Sequence, residues 1–222
     1  MEQAEYLKEI NDGISDMYRM TSEMYGDLLS FLKEQKPELA QALCKKGRAV
    51  VAREEEIIDS CVEALIRHQP FAGDLRAVTS AMRVSYDLAR VSRYLTNIVQ
   101  VLTDVDSGTA CFPEVMQLLE LGWEMIRDSV DSYLSRDPLK AESVMARDNL
   151  VDSGYRQTLF RCKEANEGAG CALLNGLMAR IIERMADHGC YISAETIYMV
   201  TGNRVGVRAP KCPPSKTSEP TQ

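Results

Sequence analysis

None of the apolar runs in this 222-residue chain approaches the roughly 18 residues that would suggest a membrane span. The opening MEQAEYLKEI is acidic and amphipathic, unlike a secretory leader. Basic residues are outnumbered, with 26 Lys and Arg against 33 Asp and Glu, so the net charge is −7. That balance argues against a nucleic-acid binder, which would normally present a basic face. The seven cysteines form no CxxC pair. An odd, unpatterned set reads as reduced thiols in a cytosol, so the chain is expected to be cytoplasmic. There are only two histidines, and neither follows a Glu by three residues: Leu65 precedes His68 and Met185 precedes His188. The paired Glu-x-x-His motifs of a ferritin-like di-iron oxidase are therefore missing. A Gly-rich phosphate loop is missing too, as is any nucleophile–base pair at a recognisable spacing. Nothing reads as a strand hairpin.

What remains is helical periodicity. Leu7, Ile10, Ile14, Met17, Thr21, Met24, Leu28 and Phe31 follow one another in steps of three and four, one face of a long helix. Pro37 is expected to close it. A second helix is predicted from about Glu38 to His68, where Pro70 stops it by removing an amide donor. The third runs to about Leu102, with Asp74 near its positive end, and TDVDSGT forms a break. A fourth follows Phe112 and Pro113 to about Arg136, and Pro138 suits the first turn of a fifth. The fifth carries Val144, Asp148, Val151, Tyr155 and Leu159 on one face, and ANEGAGC interrupts it. The sixth ends near Thr201, with Gly202 as its cap. Matched pairs such as Ile98 and Ile192, Arg90 and Arg184, and Ser60 and Ser153 suggest an internal repeat. The expected fold is all-α: two tandem three-helix bundles, residues 1–107 and 108–202, then a mobile tail over 203–222.

One constellation carries chemistry. Asp148 and Asp152 share a face of the fifth helix, and Glu183 and Asp187 share a face of the sixth, each pair spaced i, i+4. If these helices pack antiparallel, four carboxylates could meet across one groove. Crowded like charges repel and raise each other's pKa, and a cation would relieve them. Oxygen-rich sites suit hard or intermediate ions such as iron, manganese, magnesium or calcium, and zinc also accepts carboxylates. Against this stands the plainer reading that such pairs are solvated faces of an acidic protein. In the first repeat, an offset of 93 matches Glu55 and Asp59 to Asp148 and Asp152. Ala89 and Arg93 stand where Glu183 and Asp187 stand later, so Arg93 is expected to neutralise Glu55 and Asp59 in place of a metal.

RHQPFAGDLRAV (67–78), then YDLARVSRYLTNI, resembles the PhoU family of phosphate-uptake regulators, with its Gln-Pro, Asp-Leu-Arg and closing Asn-Ile. IIERMADHGCYISAETIYMVTG (181–202) looks like a second copy of the same core. The resemblance covers about residues 1–202. It implies two three-helix bundles, and metal held in an E/D-x-x-x-D cluster by Asp148, Asp152, Glu183 and Asp187, with Glu55 and Asp59 as a half-intact counterpart. Ala89 and Arg93 depart from that pattern. It also implies a non-enzymatic, homo-oligomeric adaptor that represses phosphate signalling by linking a phosphate ABC-transporter ATPase to a sensor kinase. The rivals are a metal-dependent phosphoester hydrolase and a purely structural scaffold.

Other residues have simpler expectations. His188 reads as a hydrogen-bonded bundle residue more readily than as a ligand. His68 suits a helix end, and Asp74 and Arg76 should fix the junction of the second and third helices. Trp123, Cys190 and the methionines read as packing.

Overall fold

A computed structural model describes residues 5–104, 113–164 and 169–207. Among these there is no strand. The helices are α1 (Glu5–Glu34), α2 (Pro37–His68), α3 (Gly73–Asp104), α4 (Pro113–Ser135), α5 (Pro138–Ala146), α6 (Asp148–Glu164) and α7 (Ala169–Thr201). They make six rods, because α5 and α6 are one rod broken at Arg147. The chain is thus all-α, with α1–α3 forming one bundle and α4–α7 the other. The expected break at TDVDSGT and the tail from 208 onward lie largely or wholly outside the described residues.

The predicted stripe of α1 is its buried face, from Leu7 to Phe31. At 32 residues, α2 and α3 are each about 48 Å long. Helix ends follow backbone chemistry. Gln35 turns left-handed at φ 50° and its N–H bonds Phe31 O at 2.8 Å, which ends α1. Pro37, expected to close α1, instead occupies the first turn of α2. Gln69 is left-handed too, at φ 45°, and Pro70 follows it. Asp137 caps α5 by accepting from the amides of Leu139 and Lys140 at 3.0 Å.

The two bundles join back to back through an extensive pairing of α3 with α7. Both helices pack on two sides and keep only a narrow exposed stripe, in α3 along Arg83, Tyr86, Arg93 and Asn97, so neither has the broad wet face of α1. A second seam runs between α1 and α4, where the half-buried Tyr25 ring stacks on Trp123 with centroids 4.3 Å apart. Among the cysteines, Cys61 is a buried core thiol pushed up to about 12 by desolvation, which makes it unreactive at neutral pH. Cys171 is disulfide-bonded, contrary to the all-reduced expectation.

Gly189 lets α7 pack close against the backbone of α4. A Cβ there would stand 3.3 Å from both the carbonyl carbon and oxygen of Met125, atoms of a helical backbone that cannot rotate away. Gly189→Ala is expected to destabilise by about 1–2 kcal/mol through overpacking, measurable as a lower urea midpoint at unchanged m value. A stability equal to the parent's would mean that the helices separate more freely than this packing implies.

Candidate functional site

Packing of α6 against α7 brings the second-repeat acids towards one another. Asp152 and Glu183 are each largely withdrawn from solvent, with side-chain exposures of 13% and 14%. Burial pushes the Glu183 carboxyl above its ordinary range, and Asp187 pushes it further. Arg180 opposes that rise, and Asp152 adds to it. Three of the four expected carboxylates therefore share one electrostatic neighbourhood.

Asp148 is differently placed. The rod breaks at Arg147, whose N–H bonds Val144 O at 3.0 Å while its carbonyl accepts from Leu150 at 2.9 Å, a local tightening to i, i+3 bonding. Asp148 thus becomes the first residue of α6, where a carboxylate also suits the positive helix end. The break is anchored by Arg147, whose guanidinium donates to Asp128 at 2.6 Å. Burial alone would raise the Asp128 carboxyl, but hydrogen bonds from Arg147 and Arg127 hold it below the usual range.

The acids have guanidinium neighbours. Arg180 lies 2.7 Å from Glu183, and Arg156 lies 3.7 Å from Asp152. Among the described residues no group of three or more His, Cys, Asp or Glu is arranged to hold a metal ion. The donor set suits a hard cation chemically, since it is all carboxylate oxygen. Binding would require the acids to turn from their arginines towards the ion.

The first repeat corrects the expected register. Burial aligns α2 with α5–α6 at an offset of 94, not 93: Gly47 with Ala141, Val50 with Val144, Ile57 with Val151 and Ala64 with Thr158 are all buried pairs. The same offset aligns Leu88 with Ile182 and Ile98 with Ile192 in α3 and α7. Glu54 is therefore the counterpart of Asp148, and Ile58 of Asp152. Glu55 and Asp59 are exposed. They lie within 4 Å of no Arg93 nitrogen, so the expected neutralisation of these two acids is not what Arg93 does. Its field acts instead on Glu54, a buried carboxyl that desolvation raises, Arg93 lowers and Glu55 raises. The first repeat keeps one inward acid, with Ala89 buried where Glu183 would be.

Other polar residues meet at the seam between the bundles. His188 is a hydrogen-bonded bundle residue: its Nδ1 lies 2.8 Å from Asp87 Oδ1, the imidazole N–H donating to the fully buried carboxylate. One heptad along, Glu195 accepts from Arg83 at 2.8 Å and from Ser80 at 3.2 Å. The sequence does carry a signal for this seam, because Ser80, Asp87 and Tyr94 are spaced by seven, as are His188 and Glu195. The Asp-Leu-Arg turn reaches further than the helix junction. Tyr6 donates to Asp74 at 3.4 Å and stacks on His68 at 4.5 Å, while Arg76 donates to Met199 O at the end of α7.

A family model described as the PhoU domain matches residues 14–102 and again residues 115–196. The chain is 29% identical over 219 residues to a Rhizobium meliloti protein described as a phosphate-specific transport system accessory protein PhoU homolog. That alignment covers 93% of this chain and 90% of the relative. A Clostridium acetobutylicum protein of the same description is 26% identical, with 90% and 94% covered. The crystal structure of the phosphate transport system regulatory protein PhoU from Streptococcus pneumoniae superposes with a TM-score of 0.81 at 22% identity, covering 90% of this chain and 97% of that one. At that identity the superposition speaks for the fold.

Proposed function

This chain belongs to the PhoU family, and on that premise we propose that it is a non-enzymatic regulator of phosphate uptake, an adaptor between a phosphate ABC-transporter ATPase and a sensor kinase. The observation that carries the reading is the pair of PhoU-domain matches, in order and one per bundle, in a chain spanning nearly the full length of relatives described as phosphate transport accessory proteins. The fold suits docking. No described helix is long and apolar enough to cross a membrane, while α6 and α7 leave Leu150, Phe160 and Leu173 more than half exposed. Exposed apolar side chains of this kind are what partner helices bury.

In the same reading Asp152, Glu183 and Asp187, with Asp148, would hold a divalent or trivalent cation such as iron, manganese, magnesium or zinc. Such an ion would supply charge neutralisation and fix α6 against α7.

The adaptor role is tested by capturing partners with the tagged protein in its native host, grown with scarce and with abundant phosphate. Enrichment of a transporter ATPase or a sensor kinase supports it. A folded bait that captures neither under both conditions refutes it.

A further inference from the structure

The corrected register exposes a charge inversion between the repeats. At an offset of 94, Arg48 stands where the second repeat has Glu142, and Arg93 stands where it has Asp187. Together with Arg90, these two line a groove of about 390 Å³ between α2 and α3. No carboxylate lines it. Among the described residues no acid lies within 4 Å of any of the three guanidinium groups, whereas nearby Lys46 and Arg53 are paired with Asp27, Asp16 and Glu56. In a chain of net charge −7, three guanidinium groups around one depression without a close ion pair are locally anomalous.

The groove is shaped as well as charged. Gly47 lies buried at its base, where a Cβ would meet Thr96 Oγ1 at 3.1 Å and Met24 Cε at 3.3 Å, so the floor is backbone rather than side chain. Arg90 is held in place by Tyr94, lying over its ring at 5.2 Å and donating to its hydroxyl at 3.0 Å. Arg48 and Arg93 are exposed and reach in from opposite helices, and the Asn97 amide and Thr96 hydroxyl add polar edges. Glu54 is the nearby acid that feels Arg93, but it lies buried a turn beyond the groove and makes no close ion pair with it.

We propose that this groove binds a phosphate group, carried either by inorganic phosphate or by a small phosphate ester. Guanidinium forks match the oxygen geometry of phosphate and give charge-assisted hydrogen bonds. Arg48 and Arg93 supply those forks, and Arg90 supplies a fixed positive wall. The apolar walls at Val51 and Cys44 leave room for an organic body behind the phosphate. Of the two fork-bearing residues, Arg93 stands at the position of Asp187 in the second-repeat acidic cluster, so the charge that this position offers is opposite in the two repeats. This stands on the groove alone and does not depend on the adaptor reading, since partner capture and phosphate binding are measured separately.

The test is isothermal titration of the full chain with inorganic phosphate, with ATP and with chloride, at constant ionic strength. Saturable binding of phosphate or ATP, absent with chloride, is expected. Arg48→Gln and Arg93→Gln should each weaken it about tenfold, the loss of one charge-assisted bond. Both side chains are exposed, so melting temperatures should match the parent. Arg204→Gln, in a separate groove against Tyr198, should bind like the parent. Binding of inorganic phosphate that the two arginine variants lose supports a free-ion site, and binding of ATP alone with the same loss supports an ester site. The proposal is overturned if the parent shows no saturable binding up to about 10 mM, weaker than any useful site. Equal binding by the Arg48 and Arg93 variants also overturns it.

Discussion

Asp87→Ala is expected to destabilise the protein by about 3 kcal/mol, lowering its melting temperature by roughly 6–12 °C for a domain of this size. Asp87 is fully buried and His188 nearly so, at the centre of the α3–α7 seam. Truncation leaves the imidazole N–H without its carboxylate in a place water does not reach, and it opens a gap between the bundles as well. The comparison that isolates the pair is a double-mutant cycle with His188→Leu. Each single change already removes the bond they share, so the double variant Asp87→Ala with His188→Leu should be less destabilised than the two singles summed. Coupling of about 1–3 kcal/mol is expected. Strict additivity would mean that the two side chains pack in the seam without depending on each other.

That seam was the part of the fold least legible in the sequence. α1 could be read residue by residue because one face is buried and the other wet, which is the condition for a three–four stripe. α3 and α7 each pack on their own bundle and on the opposite bundle, so only a narrow exposed stripe remains to set the phase, in α3 the line Arg83, Tyr86, Arg93, Asn97 and Gln100. Their buried serines conceal the pattern further by bonding back to their own helix, as Ser85 does to Met82 O and Ser92 to Ala89 O. Such residues look like surface in a sequence and behave like core. The same weakness produced the one-residue slip in α2. EEE at 54–56 offers three acids in a row, and only burial shows that Glu54 is the one turned inward.

The candidate site divides along a similar line. Which acids share a face follows from i, i+4 spacing and could be read directly. Their arginine neighbours could not. Arg156 and Arg180 are themselves one turn from Asp152 and Glu183, a spacing so common on helix surfaces that it carries no signal until the acids prove to be buried. The kink at Arg147 was also silent, since it depends on Asp128 in another helix drawing the guanidinium across. The arginine groove required three separate facts to coincide: the register, the packing of α2 on α3, and the absence of acids around it.

Loading the second-repeat cluster with metal is expected to reverse the sign of the protein's pH dependence. Without metal, Glu183 has a folded pKa raised above its unfolded value. Its stabilising contribution is then complete below the unfolded value of about 4.5 and is lost as pH rises through the raised folded value. The chelator-treated protein should gain melting temperature on acidification from pH 7 towards 5, and Glu183→Gln should flatten that slope. A bound cation holds the same carboxylates ionised, and protons then compete with it, so the loaded protein should lose stability over the same window. At a hundredfold excess over Kd the ion adds about 2.7 kcal/mol, or roughly 5–11 °C. Manganese added to chelator-treated protein is the direct measurement, with Glu183→Gln plus Asp187→Asn as the variant that should bind none. Arg180 is 44% exposed, so losing its partner there costs little. If manganese leaves melting temperature and slope unchanged in the parent, the two arginines are the cluster's permanent counter-ions and the acids serve only to pack α6 on α7.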